Sequence, residues 1–414
     1  MTPDIQLAAK LFDEFAAKTR RGRGIERETY GPGEQAAHVV LAGVARALDL
    51  EIRVDAIGNL FATRPGRDRR LPAVMLGSHL DSVPQGGNFD GAAGVLAGLA
   101  IVAGITDTPS CDVTVVAVRG EESAWFDVPY IGSQGMFGKL SPASLDVRRL
   151  GTGPTLRDAM RTQGRDSTPI RDGTRLVDPA TIACWLELHI EQGPVLVEAG
   201  VAAATVTGIR GCRRFRNAAC HGQYGHSGAH PRASRHDAVA ATVALLAGME
   251  EAWLAREAAG EDVVFTVGEL YTDAAMHGPS KVAGETHFVL DIRSLSDATM
   301  NAMAETVRTL AARIGAERRV TFDLGGTSDS VPAPMDPGLR AKLRDAAVAE
   351  GLPPMEMASG AGHDAAVFAA QGIATAMVFV RNEHGSHNPD EAMTIDDFAV
   401  GTRMLARVVE GMIG

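Results

Sequence analysis

The sequence predicts an α/β protein that carries a second, inserted α+β domain. Outside the middle of the chain, short apolar runs alternate with Ala-rich segments, a pattern typical of a largely parallel sheet covered by helices. The middle of the chain changes to a β-α-β-β-α-β order, which indicates a ferredoxin-like sandwich. The α/β pattern resumes at Leu339. We therefore expect a discontinuous first domain of residues 1–211 and 327–414 and an inserted domain of residues 212–326.

Four apolar runs predict buried strands, because each is short and bounded by glycine or proline. They cover residues 73–76, 113–118, 182–188 and 374–380, with helices expected at 91–102 and 364–370. In the inserted domain, strands are expected at 213–219, 263–270, 287–292 and 319–324, and helices at 235–259 and 297–314.

Composition excludes several classes of function. The chain has 414 residues, of which 45% are apolar and 22% are charged, as in ordinary globular proteins. The net charge of −11 provides no broad positive field, so we expect no nucleic-acid partner. The longest low-polarity run, residues 91–105, is shorter than the ~18 residues needed to cross a bilayer. No continuous apolar segment opens the chain, so we expect no membrane partner and a cytoplasmic location.

Residues of the types that bind metals follow all four predicted strands. In open α/β sheets, ligands bind beyond the carboxyl ends of the strands. The candidates are His79 and Asp81, Glu121 and Glu122, Glu187 and His189, His384 and His387, together with Asp90 in a glycine-rich turn. Each histidine taken alone is better explained as a satisfied core or surface residue. Their combination at one sheet edge favours a pair of divalent first-row metal ions with one bridging carboxylate.

Adjacent glutamates divide two tasks in this interpretation. Successive side chains at a strand end point to opposite sides, so one of Glu121 and Glu122 binds metal while the other faces the substrate as a general base. An exposed acidic pair is the alternative. Asp81 is placed to accept the second ring N–H of His79. His226, in a glycine-rich loop, is a candidate donor to developing oxyanion charge, although an inert loop histidine is the more common case.

Six motifs resemble the amidase, hydantoinase and carbamoylase branch of the M20 metallopeptidase-like family. They are Gly-Ser-His-Leu-Asp-Ser-Val-Pro from Gly77, Gly-Asn-Phe-Asp-Gly from Gly87, Glu-Glu-Ser from Glu121, Glu-Leu-His-Ile-Glu-Gln-Gly-Pro from Glu187, Ser-Gly-Ala-Gly-His-Asp from Ser359 and Ser-His-Asn-Pro from Ser386. The branch includes N-carbamoyl-L-amino-acid hydrolases, β-ureidopropionases and allantoate amidohydrolases. The resemblance implies a zinc-peptidase-like catalytic domain whose inserted ferredoxin-like domain serves as a lid and forms a homodimer.

The resemblance also implies a role for individual residues. Two divalent ions, zinc foremost with manganese, cobalt or nickel as alternatives, would be bound by His79, Asp90, Glu122, His189 and His387, with Asp90 as the bridge. His387 is preferred over His384 because it lies in the Ser-His-Asn-Pro motif. Glu121 would be the general base, and His226 would lie near the reacting carbonyl. A small substrate with a carboxylate would contact Gln192, Ser280, Arg293, Gly360 and Ala361. Asp81 and His363 would support the metal ligands.

Departures from the family pattern affect the substrate pocket. Ser280 replaces the usual asparagine, and the segments at Ala229-His230 and Ser123–Trp125 also differ. The expected activity is hydrolysis of the C–N bond of N-carbamoyl or related amino acids. Allantoate or other ureido acids and N-acyl amino acids or amides are alternative substrates. A non-catalytic metabolite-binding protein is the alternative of another class.

Overall fold

The computed structural model describes residues 1–414, which divide into two compact units. The first unit comprises Met1–Thr207 and Pro334–Gly414, and the second comprises Gly208–Ala333. The second unit is longer at both ends than the predicted residues 212–326. Its first strand begins at Gly211, and a short strand at Thr327–Ser330 pairs with that strand.

The helices are α1 (Ile5–Thr19), α2 (Pro32–Ala47), α3 (Ala92–Ala103), α4 (Ile131–Met136), α5 (Leu156–Thr162), α6 (Thr168–Asp172), α7 (Val195–Ala199), α8 (Ala238–Ala258), α9 (Asp297–Arg318), α10 (Pro337–Ala349), α11 (Asp364–Ala369) and α12 (Ile395–Ile413). The strands are β1 (Arg20–Arg21), β2 (Gly24–Ile25), β3 (Glu51–Val54), β4 (Leu60–Arg64), β5 (Ala73–His79), β6 (Val113–Val118), β7 (Ile182–Ile190), β8 (Ala203–Ile209), β9 (Gly211–His221), β10 (Gly225–His226), β11 (Val264–Tyr271), β12 (Lys281–Val282), β13 (Glu285–Ser294), β14 (Thr321–Asp323), β15 (Thr327–Ser330), β16 (Ala333–Pro334), β17 (Glu356–Ser359) and β18 (Thr375–Val380).

A nine-stranded sheet forms the centre of the first unit. Its order is β16-β8-β18-β7-β5-β6-β4-β3, with β17 paired to β8. The neighbours β18, β7, β5 and β6 run parallel, and they are the four strands that the apolar runs predicted. The antiparallel strands β4 and β8 flank them and were not predicted. Four parallel strands therefore direct their carboxyl ends to one edge of the sheet.

Helix α3 packs in the main core of the first unit. Every residue from Ala92 to Val102 is buried, so this helix is apolar on all sides, as expected of a core helix. It packs with alternate residues of β7 such as Leu186 and Leu188. The preceding residue Trp185 faces the other side of the sheet, where the ring of Phe368 of α11 stacks on it at 3.8 Å between centroids. Helices on both faces thus shield the parallel strands from water.

The second unit has the predicted ferredoxin-like arrangement. Its sheet order is β11-β13-β9-β14, with β15 also on β9, and α8 and α9 pack with it around Leu245, Met303 and Phe288. Helix α8 is long and apolar enough to cross a membrane by length and composition alone. Its residues Leu245 and Met249 lie in the core of the unit.

Candidate metal centre

The carboxyl edge of the parallel strands gathers the five predicted metal ligands. His79 is the last residue of β5, His189 lies near the end of β7, and Glu122 follows β6 by four residues. His387 lies on the loop after β18, and Asp90 lies two residues before the start of α3. They form two groups, His79–Asp90–His189 and Asp90–Glu122–His387, each with donor atoms within 4.8 Å of one another.

Asp90 belongs to both groups, and each of its carboxylate oxygens faces a different one. Oδ1 lies 3.4 Å from Nε2 of His79 and 3.2 Å from Nε2 of His189. Oδ2 lies 3.5 Å from Nε2 of His387, and that nitrogen lies 3.2 Å from Oε1 of Glu122. Ligands that surround one ion tetrahedrally at ~2.0 Å are themselves ~3.3 Å apart, so both groups have the spacing of a metal site.

The protonation pattern of the imidazoles also fits cations. The Nδ1 atom of His79 lies 3.2 Å from Oδ1 of Asp81, and that of His189 lies 2.9 Å from the carbonyl oxygen of Ile190. These contacts place the ring protons on Nδ1, so both Nε2 lone pairs face Oδ1 of Asp90. Burial alone would lower the pKa of His79, but Asp81, Asp90 and Glu121 raise it well above its ordinary value. The carboxylates around His79 therefore favour positive charge at this position, whether from a proton on the ring or from a bound cation.

The turn before α3 is shaped by Gly91. This residue has a φ of 65°, in the left-handed region that glycine tolerates best. A Cβ atom there would lie 2.4 Å from Cε1 of His79, inside contact distance. Any larger residue would therefore displace either the turn that carries Asp90 or the His79 ring.

Two carboxylates hold the segment that bears Glu121 and Glu122. Asp81 is fully buried, and its oxygens accept the backbone N–H groups of Glu121 at 3.1 Å and Glu122 at 3.3 Å. Glu34, also fully buried, accepts the N–H of Gly120 at 3.0 Å and pairs with Arg119 at 2.9 Å. The glutamate pair therefore sits on a rigid support.

Glu121 and Glu122 differ in their neighbours. Glu122 contacts His387, whereas the nearest imidazole to Glu121 is that of His79, with 3.9 Å between Oε2 and Nε2. Burial raises the pKa of Glu121 well above its ordinary value. The charge of His79 lowers this pKa, but by less, and the charge of Glu122 raises it further. Glu121 is thus a buried carboxylate beside both groups and a member of neither, which is the position a general base requires.

Other predicted residues of the first unit surround these groups. Gln192 donates through Nε2 to Oδ2 of Asp90 at 2.7 Å, while its Oε1 is buried without a partner. The ring of His363 lies 4.4 Å from that of His189 and bonds to Ser359. Gly360 and Ala361 lie on the same loop, where the hydroxyl of Ser359 accepts the N–H of Ala361. His384 is exposed and contacts Glu383 rather than either ligand group.

Three predicted residues lie in the second unit. His226 is exposed on β10, and its Nδ1 accepts the N–H groups of Gly228 and Ala229 at 3.2 Å. Arg293 on β13 pairs with Asp291 at 2.8 Å. The carbonyl of Ser280 accepts the N–H of Ser227. Their roles toward a substrate stay predictions.

Two functional residues were missed from the sequence. Ser386 donates to Oδ2 of Asp90 at 2.6 Å, and the buried Glu391 accepts the N–H groups of Phe89 and Asp90 at 2.8 and 3.2 Å. Glu391 thereby ties the turn that carries Asp90 to the loop that carries His387. Ser386 opens the Ser-His-Asn-Pro motif, which was its only signal in the sequence. Glu391 had none, because the burial of a carboxylate cannot be read from one sequence.

A parallel sheet whose carboxyl edge presents two ligand groups sharing one carboxylate, with a spare buried glutamate, defines a metal-dependent hydrolase. Residues 75–411 match peptidase family M20/M25/M40, and the chain belongs to that family.

The relatives and one solved structure agree with this membership. The chain is 34% identical to the N-carbamoyl-L-amino acid amidohydrolase of Geobacillus stearothermophilus, with 93% of each covered. It is 32% identical to the allantoate amidohydrolase of Escherichia coli, with 87% of this chain and 86% of that protein covered. The crystal structure of an amidase of the hydantoinase/carbamoylase family from Burkholderia multivorans matches with a TM-score of 0.90 and 28% identity, covering 100% of this chain and 98% of that one.

Proposed function

We propose that the protein hydrolyses the C–N bond of N-carbamoyl amino acids, with two divalent ions held by His79, Asp90, Glu122, His189 and His387. The observation that carries this proposal is the carboxylate of Asp90, which offers one oxygen to each ligand group. The similarity to an N-carbamoyl-L-amino acid amidohydrolase supports the substrate class. Zinc suits the mixed imidazole and carboxylate donors, and manganese, cobalt and nickel are the alternatives.

The chain's own residues perform the proton transfers. When bound, divalent cations supply Lewis acidity, which acidifies water and polarises a carbonyl oxygen. Glu121 takes a proton from the attacking water and returns it to the leaving nitrogen. Asp81 keeps the Glu121 backbone in place during both transfers, and burial keeps bulk water from competing for the carboxylate. One N-carbamoyl amino acid and one water yield the amino acid, ammonia and carbon dioxide.

Product release from a substrate panel tests the proposal, measured as ammonia for the carbamoyl and ureido substrates and as free amino acid for the N-acetyl substrates. The panel contains N-carbamoyl-L- and D-amino acids, N-carbamoyl-β-alanine, allantoate and N-acetyl amino acids, each with metal-loaded and chelator-treated protein. We expect metal-dependent release from the N-carbamoyl-α-amino acids. Release from allantoate alone would favour the second candidate, which the similarity to an allantoate amidohydrolase supports.

The role of Glu121 is tested by Glu121→Gln. General acid–base catalysis contributes about 10²- to 10⁴-fold, so kcat should fall by at least 10²-fold while the metal content stays unchanged. The control is Glu198→Gln, on an exposed carboxylate of α7. Full activity of metal-loaded Glu121→Gln protein would show that another group moves the proton.

We also propose that the second unit forms a homodimer. Strand β11 is an edge of its sheet, and its residues Leu270 and Tyr271 are about half exposed. Leu254 on α8 is similarly exposed. Unpaired edges with apolar side chains favour pairing with another chain. Light scattering should give a dimer mass that Leu270→Asp halves and that Val331→Asp, at an exposed position outside these elements, leaves unchanged.

A further inference from the structure

A cavity beside the metal centre has no part in the mechanism above. Its volume is about 440 Å³, and two loops of the first unit line it. One loop follows β7 and contributes Gln192, Gly193 and Pro194, and Val197 of the following helix α7 lies beside them. The other follows β18 and contributes residues 382–385. We call it the Gln192–Gly385 cavity.

Both walls of this cavity reach Asp90. Gln192 lines the cavity and donates to Oδ2 of Asp90 at 2.7 Å. Gly385 lines the opposite loop, and the next residue, Ser386, donates to the same oxygen at 2.6 Å. The cavity therefore lies next to the ligand group that contains His387, one side chain away from Asp90.

Four of the eight residues that line the cavity are glycine, proline or valine. Gly193, Pro194, Val197 and Gly385 present no polar side chain. Asn382 is 1% exposed, and its amide is already used, since Oδ1 accepts the N–H of Gln192 and Nδ2 donates to the carbonyl of Gly385.

The two ionisable residues of the lining are exposed. The side chains of Glu383 and His384 are 61% and 62% exposed, and they face each other across 4.0 Å. Oε1 of Gln192, whose amide contacts Asp90, is the one buried side-chain polar atom of the lining without a partner. Since the other polar side chains are paired or exposed, the cavity favours an uncharged and largely apolar occupant.

We propose that the Gln192–Gly385 cavity binds an apolar side chain of the substrate amino acid. This inference rests on the proposed function, because it assigns the part of an N-carbamoyl amino acid that lies beyond the reacting group. The volume accommodates a leucine or phenylalanine side chain. A substitution that fills the cavity should therefore lower kcat/KM for N-carbamoyl-leucine and N-carbamoyl-phenylalanine. It should leave kcat/KM for N-carbamoyl-glycine, which has no side chain, nearly unchanged.

Two valines of α7 provide a matched pair of variants. Val197 lines the cavity and Val195 does not, although both are 41% exposed, so neither replacement disturbs the core. We would measure kcat/KM of Val197→Phe and Val195→Phe with N-carbamoyl-glycine, N-carbamoyl-L-leucine and N-carbamoyl-L-phenylalanine. Val197→Phe should lower kcat/KM at least tenfold for the two larger substrates and leave the glycine derivative within twofold. Val195→Phe should change none of them.

Calorimetric binding of L-leucine and glycine to the metal-loaded proteins separates the two proposals. Leucine should bind wild-type protein and Val195→Phe more tightly than it binds Val197→Phe. If no N-carbamoyl compound is hydrolysed but this difference holds, the proposed function fails and the cavity assignment stands. If hydrolysis occurs and Val197→Phe lowers all three kcat/KM values equally, or leaves leucine hydrolysis and binding unchanged, the cavity assignment is overturned.

Discussion

Replacing Glu34 by Gln should destabilise the protein by about 3–5 kcal/mol, the usual cost of breaking a buried ion pair. Glu34 is fully buried and accepts three hydrogen bonds, from the N–H of Tyr30 at 2.7 Å, Nη1 of Arg119 at 2.9 Å and the N–H of Gly120 at 3.0 Å. A glutamine keeps one acceptor oxygen. Its NH₂ group would face donors only, which leaves the buried guanidinium of Arg119 without a counter-charge.

Differential scanning calorimetry of chelator-treated protein measures this effect without a contribution from metal binding. At roughly 2 °C per kcal/mol for a unit of this size, Tm should fall by about 6–10 °C. The control is Glu14→Gln, which removes an exposed pair with Lys18 at 3.6 Å and should change Tm by no more than about 2 °C. Burial raises the pKa of Glu34, and the charge of Arg119 lowers it by less. A Tm within 2 °C of wild type would mean that Glu34 is neutral in the folded protein and that our reasoning is wrong.

Two further predictions concern metal affinity and acid stability. Ser386→Ala removes a donor to Oδ2 of Asp90, so competition with a chromogenic chelator should show metal affinity 10- to 100-fold weaker, and an unchanged affinity would contradict the support we assign to Ser386. Burial, with Arg119 and Arg165, lowers the pKa of His38 well below its ordinary value, and both ring nitrogens lack partners. The unfolded chain therefore binds a proton below pH ~6.5 that the folded protein does not, and the free energy of unfolding falls by up to about 1.4 kcal/mol per pH unit as pH decreases. Urea unfolding at pH 7.5 and 5.5 should show a smaller acid-induced loss for His38→Leu than for wild type, and equal losses would exclude His38 as the source.

The central strands and the core helix could be predicted from the sequence. Residues 113–118 are an uninterrupted apolar run, and the structure has β6 at Val113–Val118. Helix α3 begins one residue later than expected, at Ala92. The antiparallel strands β3 and β4 were missed because they are short and of mixed burial. Strand β8 was missed because threonine and glycine interrupt its apolar residues. The pairing of all three depends on partners elsewhere in the chain.

The sequence by itself determined which residue types stand after each parallel strand, because a strand's end is local information and the carboxyl ends of parallel strands meet at one edge. Only the tertiary structure decided which oxygen of Asp90 faces which imidazole. It also revealed the supports of the site, since Glu391 reaches Asp90 across 301 residues and Glu34 reaches Arg119 across 85. Such contacts produce no periodic pattern in the sequence. Whether a glutamate is buried or exposed depends on which distant segments pack around it, and this is decided only when the chain folds.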